Sequence, residues 1–148
     1  MIRRFGDPAQ PDRHYRRRPG AYAVLIRDGE VLLTHQAEPE PEMQLPGGGI
    51  DPGESPVQAL HREVFEETGW AIAAPRRLGA YRRFAYMPEY DLWAEKICLI
   101  YLARPVLRRG PPSEAGHSAI WTPLDQAADL LASAGDRHMM ARIARDLG

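Results

Sequence analysis

The stretch from Leu45 to Trp70, LPGGGIDPGESPVQALHREVFEETGW, restricts the fold more than any other part of the chain. Ser55 supplies a helix N-cap, Pro56 sits at N1 where its missing N–H is harmless, and Gln58 takes the reciprocal capping-box position. Gly69 suits the left-handed residue that ends a helix. Val57, Leu60 and Val64 recur at helical spacing and mark a buried face. These signals predict a helix over 56–68, entered from three consecutive glycines at 47–49.

The helix carries Glu63, Glu66 and Glu67 at i, i+3 and i+4, so their carboxylates project from one face, read here as exposed. Like charges at this spacing repel, and a hard divalent cation removes the conflict because Mg²⁺ and Mn²⁺ favour oxygen ligands. A solvated acidic face is the alternative for the triplet alone. The glycines let the backbone approach a metal or phosphate closely, although a plain tight turn would use them equally well. Arg62 is always charged and can brace a carboxylate through paired hydrogen bonds, with Glu54 as a partner. Together these features suggest metal-assisted chemistry at a phosphate.

The remaining elements read as scaffold. Residues 21–26 are β-prone, Asp28-Gly29 is a hairpin turn, and 31–34 is the return strand. Glu38 to Glu42 is a loop and 71–75 a short connection. Arg77 to Met87 has strand character, and 87–91 is a turn. KICLIYLA at 96–103 is the longest apolar run and reads as a central buried strand; 106–116 is a loop and 118–121 a short strand. Thr122 and Pro123 read as N-cap and N1 of a helix whose inner face is Leu124, Ala127, Ala128 and Leu131. Asp136 reads as the N-cap of a last helix with Met139, Met140, Ile143 and Leu147 inside. The order implies an α+β fold with helices covering the sheet. Residues 1–19 form an arginine-rich arm whose Arg16 to Arg18 could reach a phosphate or a neighbouring subunit, and residues 20–148 form a single domain.

From Gly48 to Trp70 the chain resembles the Nudix box, G-x5-E-x7-R-E-U-x-E-E-x-G-U, where U is bulky and aliphatic. Gly48, Glu54, Arg62, Glu63, Val64, Glu66, Glu67 and Gly69 fall in register, and Trp70 departs by being aromatic. The motif spans about a sixth of the chain. The resemblance implies a Nudix-like α/β/α sandwich with a mixed β-sheet. It also implies metal-dependent hydrolysis of a phosphoanhydride bond in a nucleoside diphosphate linked to another moiety. Glu63, Glu66 and Glu67 would hold Mg²⁺ or Mn²⁺, with the Gly47 carbonyl and Glu114 as further candidates. Arg62 would orient the glutamates, while Gly48, Glu54 and Gly69 shape the motif. The general base would be a glutamate of the box or an acid outside it, Glu114 first among them, then Glu89, Asp91 and Glu95. A noncatalytic Nudix-like nucleotide sensor is the alternative, against which the intact glutamate set argues.

The resemblance implies that substrate choice is made outside the box, where Tyr86, Arg82 and Arg104 are candidate contacts. The five histidines show no zinc spacing and read as ordinary surface or hydrogen-bonded residues. A net charge of −1 gives no field for coating a polyanion, so no nucleic acid is expected, and the resemblance implies a small nucleotide conjugate as the partner. A homodimer is compatible with this reading. No apolar run reaches the length of about 20 residues that spans a bilayer. Cys98 is the only cysteine, flanked by apolar residues, and reads as buried; a cytoplasmic setting follows.

Overall fold

The computed structural model describes residues 2–38 and 40–147. Met1, Pro39 and Gly148 lie outside them, so the loop expected at Glu38 to Glu42 is described on both sides of Pro39 only.

A mixed sheet forms the middle layer. Its strands are β1 (Arg3–Arg4), β2 (Arg16–Arg27), β3 (Glu30–Gln36), β4 (Glu42–Gln44), β5 (Gly47–Gly49), β6 (Trp70–Met87), β7 (Leu92–Arg108) and β8 (His117–Pro123). The main order is β1-β6-β7-β2-β3-β4, with β5 paired to β2 and β8 to β3. β6 and β7 form a long antiparallel hairpin, whereas β2 runs parallel to β7 from Arg16↔Ala94 to Leu25↔Ala103. Asp28 and Gly29 both take positive φ (52° and 76°), which is what a tight turn matched to strand twist demands.

The helix α1 (Pro56–Thr68) covers one face, and α2 (Leu124–Leu130) and α3 (Ala134–Leu147) cover the other. On the α1 side Ala21, Ala23, Leu25, Leu60, Val64 and Tyr101 pack together. On the α3 side Val24, Ile100, Tyr81, Leu131, Met140 and Ile143 do the same. Each fully buried aliphatic side chain contributes roughly 1.5–3 kcal/mol. Alternate residues of β2 and β7 serve opposite layers, so both helical layers are keyed to one pair of strands. Among the described residues, no helix is long and apolar enough to cross a membrane.

Several boundaries differ from the sequence-based expectation. The expected arm, described from residue 2 to residue 19, joins the sheet at two places: β1 pairs with β6, and β2 begins at Arg16 because its parallel partner β7 extends that far. The connection expected at 71–75 is strand, its irregularity absorbed by bulges, with Ala74 at φ 51°. The loop expected from 106 starts later, since β7 continues to Arg108. Thr122 does not cap α2 but lies buried in β8, and Pro123 is the N-cap without a side-chain bond. Asp136 lies inside the first turn of α3. Ser133 caps that turn instead, its Oγ accepting from the Asp136 N–H at 3.1 Å.

Candidate active site

The capping signals of α1 are all realised. Ser55 Oγ accepts from the Gln58 N–H (3.1 Å), Gln58 Oε1 accepts from the Ser55 N–H (2.8 Å), and Gly69 ends the helix at φ 78°. The buried stripe is displaced from the expected one. Val57 is exposed, whereas Ala59, Leu60, Val64, Glu67 and Thr68 are buried. Glu67 is therefore not on an exposed face: it is 6% accessible.

Burial is what makes Glu67 unusual. Its carboxyl is pushed up to about 8, first by desolvation and against the stabilising hydrogen bond from Gly47, with Glu114, Glu63 and Glu66 adding to the rise. Its Oε1 accepts from the Gly47 N–H at 2.9 Å. The glycines form the short strand β5, antiparallel to β2, rather than a free loop. Gly47 takes φ 146°, and a Cβ there would lie 2.6 Å from Tyr22 Cα; a Cβ on Gly48 would lie 2.5 Å from the Glu63 carboxylate carbon. The carboxylates thus press directly against β5.

Arg62 holds the neighbouring acids in place. Its Nε and Nη2 donate to the two oxygens of Glu54 (2.7 and 2.8 Å), Nη1 donates to Glu63 (2.9 Å) and Glu66 (3.4 Å), and Nη2 also reaches the Gly49 carbonyl (3.0 Å). Arg62 bonding lowers the Glu54 carboxyl to about 2. Burial raises Glu63 even against the Arg62 bond.

The segment 109–117 closes the site from the far end of α1. The Arg109 N–H donates to the Gly69 carbonyl (2.8 Å), and the Ser113 and Glu114 N–H groups donate to the Glu66 carbonyl (2.9 and 3.1 Å). Any side chain at Gly69 would collide with the Gly110 carbonyl. Two sets of potential ligand atoms result, each within 4.8 Å of one another: Glu63, Glu66 and Glu114, and Glu67, Glu114 and His117. A hard divalent cation fits this donor set, which is mostly carboxylate oxygen and whose like charges repel across a buried position.

The sequence reasoning missed His117. Its Nε2 stands 3.4 Å from Glu67 Oε2, and its side chain is 10% accessible. Its spacing three residues after Glu114, in a loop already singled out, was the only available signal. Tyr86, Arg82 and Arg104 are not gathered with the glutamates. Tyr86 is exposed near the β6–β7 turn, where its hydroxyl donates to Asp91. Arg82 pairs with Glu95 (3.2 Å) and reaches the Ile2 carbonyl. Arg104 lines a cavity of about 300 Å³ with Ala74, Arg76 and Leu147. Trp70 packs edge-on against Trp121 (5.6 Å, 89°), with Arg27 over both rings, so the aromatic end of the motif anchors the helix exit.

A family model for the NUDIX domain matches residues 16–143. The chain is 32% identical over 129 residues to CMP-5′-(N-acetyl-N-hydroxy-3-aminopropyl)phosphonate hydrolase of Streptomyces rubellomurinus, covering 82% of this chain and 60% of the relative. It is 39% identical over 61 residues to an RNA pyrophosphohydrolase of Helicobacter pylori, covering 38% of this chain and 39% of the relative. The chain thus spans less than two thirds of these relatives' lengths. Its fold is similar to that of a solved NUDIX hydrolase from Nitrosomonas europaea, with a TM-score of 0.73 at 20% identity over 88% of this chain and 90% of that one.

Proposed function

The chain belongs to the NUDIX domain family, and from that membership we propose that it is a divalent-metal-dependent hydrolase. It cleaves a phosphoanhydride bond in a nucleoside diphosphate linked to another moiety. The observation that carries this reading is the convergence of Glu63, Glu66, Glu67 and Glu114 against a glycine strand, with Arg62 bracing the acids from one side.

Glu63, Glu66 and Glu67 would hold Mg²⁺ or Mn²⁺, with Glu114 and His117 completing the donor set. When bound, the metal lowers the pKa of water and neutralises charge on the departing phosphate. Arg62 fixes the rotamers of Glu54, Glu63 and Glu66 before substrate arrives. The Gly47 N–H orients Glu67. Water attacks phosphorus, an O–P bond forms, the anhydride P–O bond breaks, and the water proton passes to a carboxylate. A box glutamate or Glu114, which is exposed and within reach of the cluster, would take that proton. The buried lone thiol Cys98 accords with action in the cytoplasm on small nucleotide conjugates.

The test is a panel of nucleotide conjugates with Mg²⁺ or Mn²⁺ and identification of both products. Cleavage at the anhydride supports the proposal. Tight binding without cleavage of any member would replace the enzyme with a nucleotide sensor.

A further inference from the structure

The two ligand sets in the acidic cluster are chemically different. Glu63, Glu66 and Glu114 offer carboxylate oxygen only, whereas Glu67, Glu114 and His117 add an imidazole nitrogen. Glu114 belongs to both, so two neighbouring positions share one acid. What separates them is His117.

Strand register sends this ring toward the acids. In β8, His117 lies opposite Gln36, Ala119 opposite Thr34 and Trp121 opposite Leu32. Alternate residues of a strand share a side. Ala119 and Trp121 pack in the α1 layer, so His117 faces that layer too, on the same side of the sheet as the glutamates. A tight turn brings it beside Glu114. The His117 N–H meets the Glu114 carbonyl at 3.4 Å, and Gly116 between them takes φ 80°, which glycine adopts without strain.

Both ring nitrogens face oxygen, on a side chain that is only 10% accessible. Nε2 stands 3.4 Å from Glu67 Oε2, and Nδ1 stands 3.4 Å from the Ala115 carbonyl. A carbonyl only accepts, and so does an ionised carboxylate. A neutral imidazole carries one proton and serves only one of the two. With that proton on Nδ1, toward Ala115, the Nε2 lone pair opposes the Glu67 oxygen. A cation between nitrogen and carboxylate turns this opposition into two bonds. A backbone carbonyl on the far nitrogen is a usual partner of a metal-bound imidazole, because it fixes the tautomer and the ring. Glu67 is prepared in the same way. Its Oε1 is held by the Gly47 N–H at 2.9 Å, which leaves Oε2 for the cation.

Nitrogen and oxygen donors rank divalent ions differently. Mg²⁺ prefers oxygen ligands and keeps its water, whereas imidazole favours first-row transition ions, with affinity rising from Mn²⁺ toward Co²⁺. We propose that Glu67, Glu114 and His117 form a mixed nitrogen–oxygen position that takes a first-row transition dication, Mn²⁺ or Co²⁺, in preference to Mg²⁺. It lies beside the all-oxygen position of Glu63, Glu66 and Glu114. This rests on the reading of the glutamate cluster as a metal site. His117 is then the residue that sets which ion the deeper position prefers, and the glutamates alone do not.

The test adds the metal alone to the full chain and reads its ligands directly. Pulsed electron paramagnetic resonance of bound Mn²⁺ should show modulation from a directly coordinated ¹⁴N nucleus, and a ¹⁵N-histidine label should shift it. His117→Ala and His117→Gln should both lose the modulation. Calorimetric titration with Mn²⁺, Co²⁺ and Mg²⁺ gives the second readout. Removing even an outer partner of a metal ligand costs about 10–100-fold in affinity. Each variant should therefore lower the preference for Mn²⁺ and Co²⁺ over Mg²⁺ by about tenfold or more. Circular dichroism and melting establish that the variants fold; should His117→Ala fail, His117→Gln and the labelled parent decide. Bound Mn²⁺ with oxygen ligands only, as a ring kept in an ion pair with Glu67 gives, overturns the position. So does a preference that survives in the folded variants, or a chain that binds no Mn²⁺. A protein that cleaves conjugates with oxygen-ligated Mn²⁺ loses only the nitrogen position. One that cleaves nothing yet shows the nitrogen ligand loses only the hydrolase.

Discussion

Two charged regions lie on either side of β5 and β2, and they solve the problem of crowded like charges in different ways. At the α1 end, four carboxylates share one guanidinium: Arg62 is within 3.4 Å of Asp51, Glu54, Glu63 and Glu66. Of the motif's four glutamates, Glu67 is left out of that network, and it is the acid whose pKa rises to about 8. At the α3 face, Arg18, Lys96 and Arg83 have no such internal partner among the described residues. The acidic region is therefore braced up to the point where a cation would enter, while the basic row has no shared opposite charge among the described residues. Preorganisation of one charge type by a shared opposite charge is a feature of the first region only.

The largest expected effect comes from removing the unbraced acid. Glu67→Gln should lower turnover by about a hundredfold or more, as expected for losing several kcal/mol of transition-state stabilisation. Initial rates on any cleaved conjugate test this, and unchanged turnover would sink the metal assignment. The same variant carries a pH signature. A carboxyl whose folded pKa is raised to about 8 contributes stability at low pH that is lost as pH rises through 8. Without metal, Glu67→Gln should remove that loss, so its melting temperature should overtake that of the parent above pH 8. In the parent, Mg²⁺ should raise the melting temperature more at pH 8.5 than at pH 6, because binding must displace the Glu67 proton. A pH-independent response to Mg²⁺ contradicts this.

Next in size is Arg62→Met, which strips the shared cation from Glu54, Glu63 and Glu66. The side chain is 29% accessible, so solvent moderates the loss to about 1–2 kcal/mol. A melting-temperature drop of about 3–6 °C would follow. If the variant melts like its parent, the acids do not depend on Arg62 for their arrangement.

On the opposite face Tyr81→Phe gives the matching probe. It removes the 2.6 Å bond to the buried Asp136 and the 3.0 Å contact with Ser133. Losing one hydrogen bond to a buried carboxyl that burial already pushes up should cost about 1 kcal/mol, read by urea unfolding. A loss as large as that of Arg62→Met would show that both faces are equally braced.

The smallest effect is Ser55→Ala, which opens the capping box at the helix start and costs about 1 kcal/mol or less. Turnover at low temperature should be unaffected, since the carboxylates lie two turns further on.

The two regions also differ in how far the sequence reveals them. Glu63, Glu66 and Glu67 are neighbours because a helix turns every 3.6 residues, so their spacing in the chain already states their proximity. The same holds for the Ser55–Gln58 cap and the Asp28-Gly29 turn. Arg18, Lys96 and Arg83 meet only through strand register, and a shift of one residue would send each to the opposite layer. Nothing local distinguishes Lys96 from Glu95, yet one faces α3 and the other pairs with Arg17 and Arg82. The burial of Glu67 was hidden for a related reason. Leu60, Val64 and Glu67 form a helical stripe, but an acid in that stripe reads as its polar margin until β5 and the 109–117 segment are seen to cover it. Ser133 was overlooked as the cap of α3 because Asp136, an equally good cap by type, lies three residues on.

The parallel pairing of β2 with β7 has a consequence for how the molecule comes together. Arg17 meets Glu95 across a separation of 78 residues, and everything between them must be made before that contact can close. A nascent chain that has just emerged as far as Trp70 holds every residue of the glycine strand and the acidic helix, but not the strand that seats β2. Closure of such distant pairings sets a slow pace for assembly. The glycine strand and the acidic helix are thus written early in the chain, while the strand that seats β2 and the 109–117 segment that closes over the helix end come later.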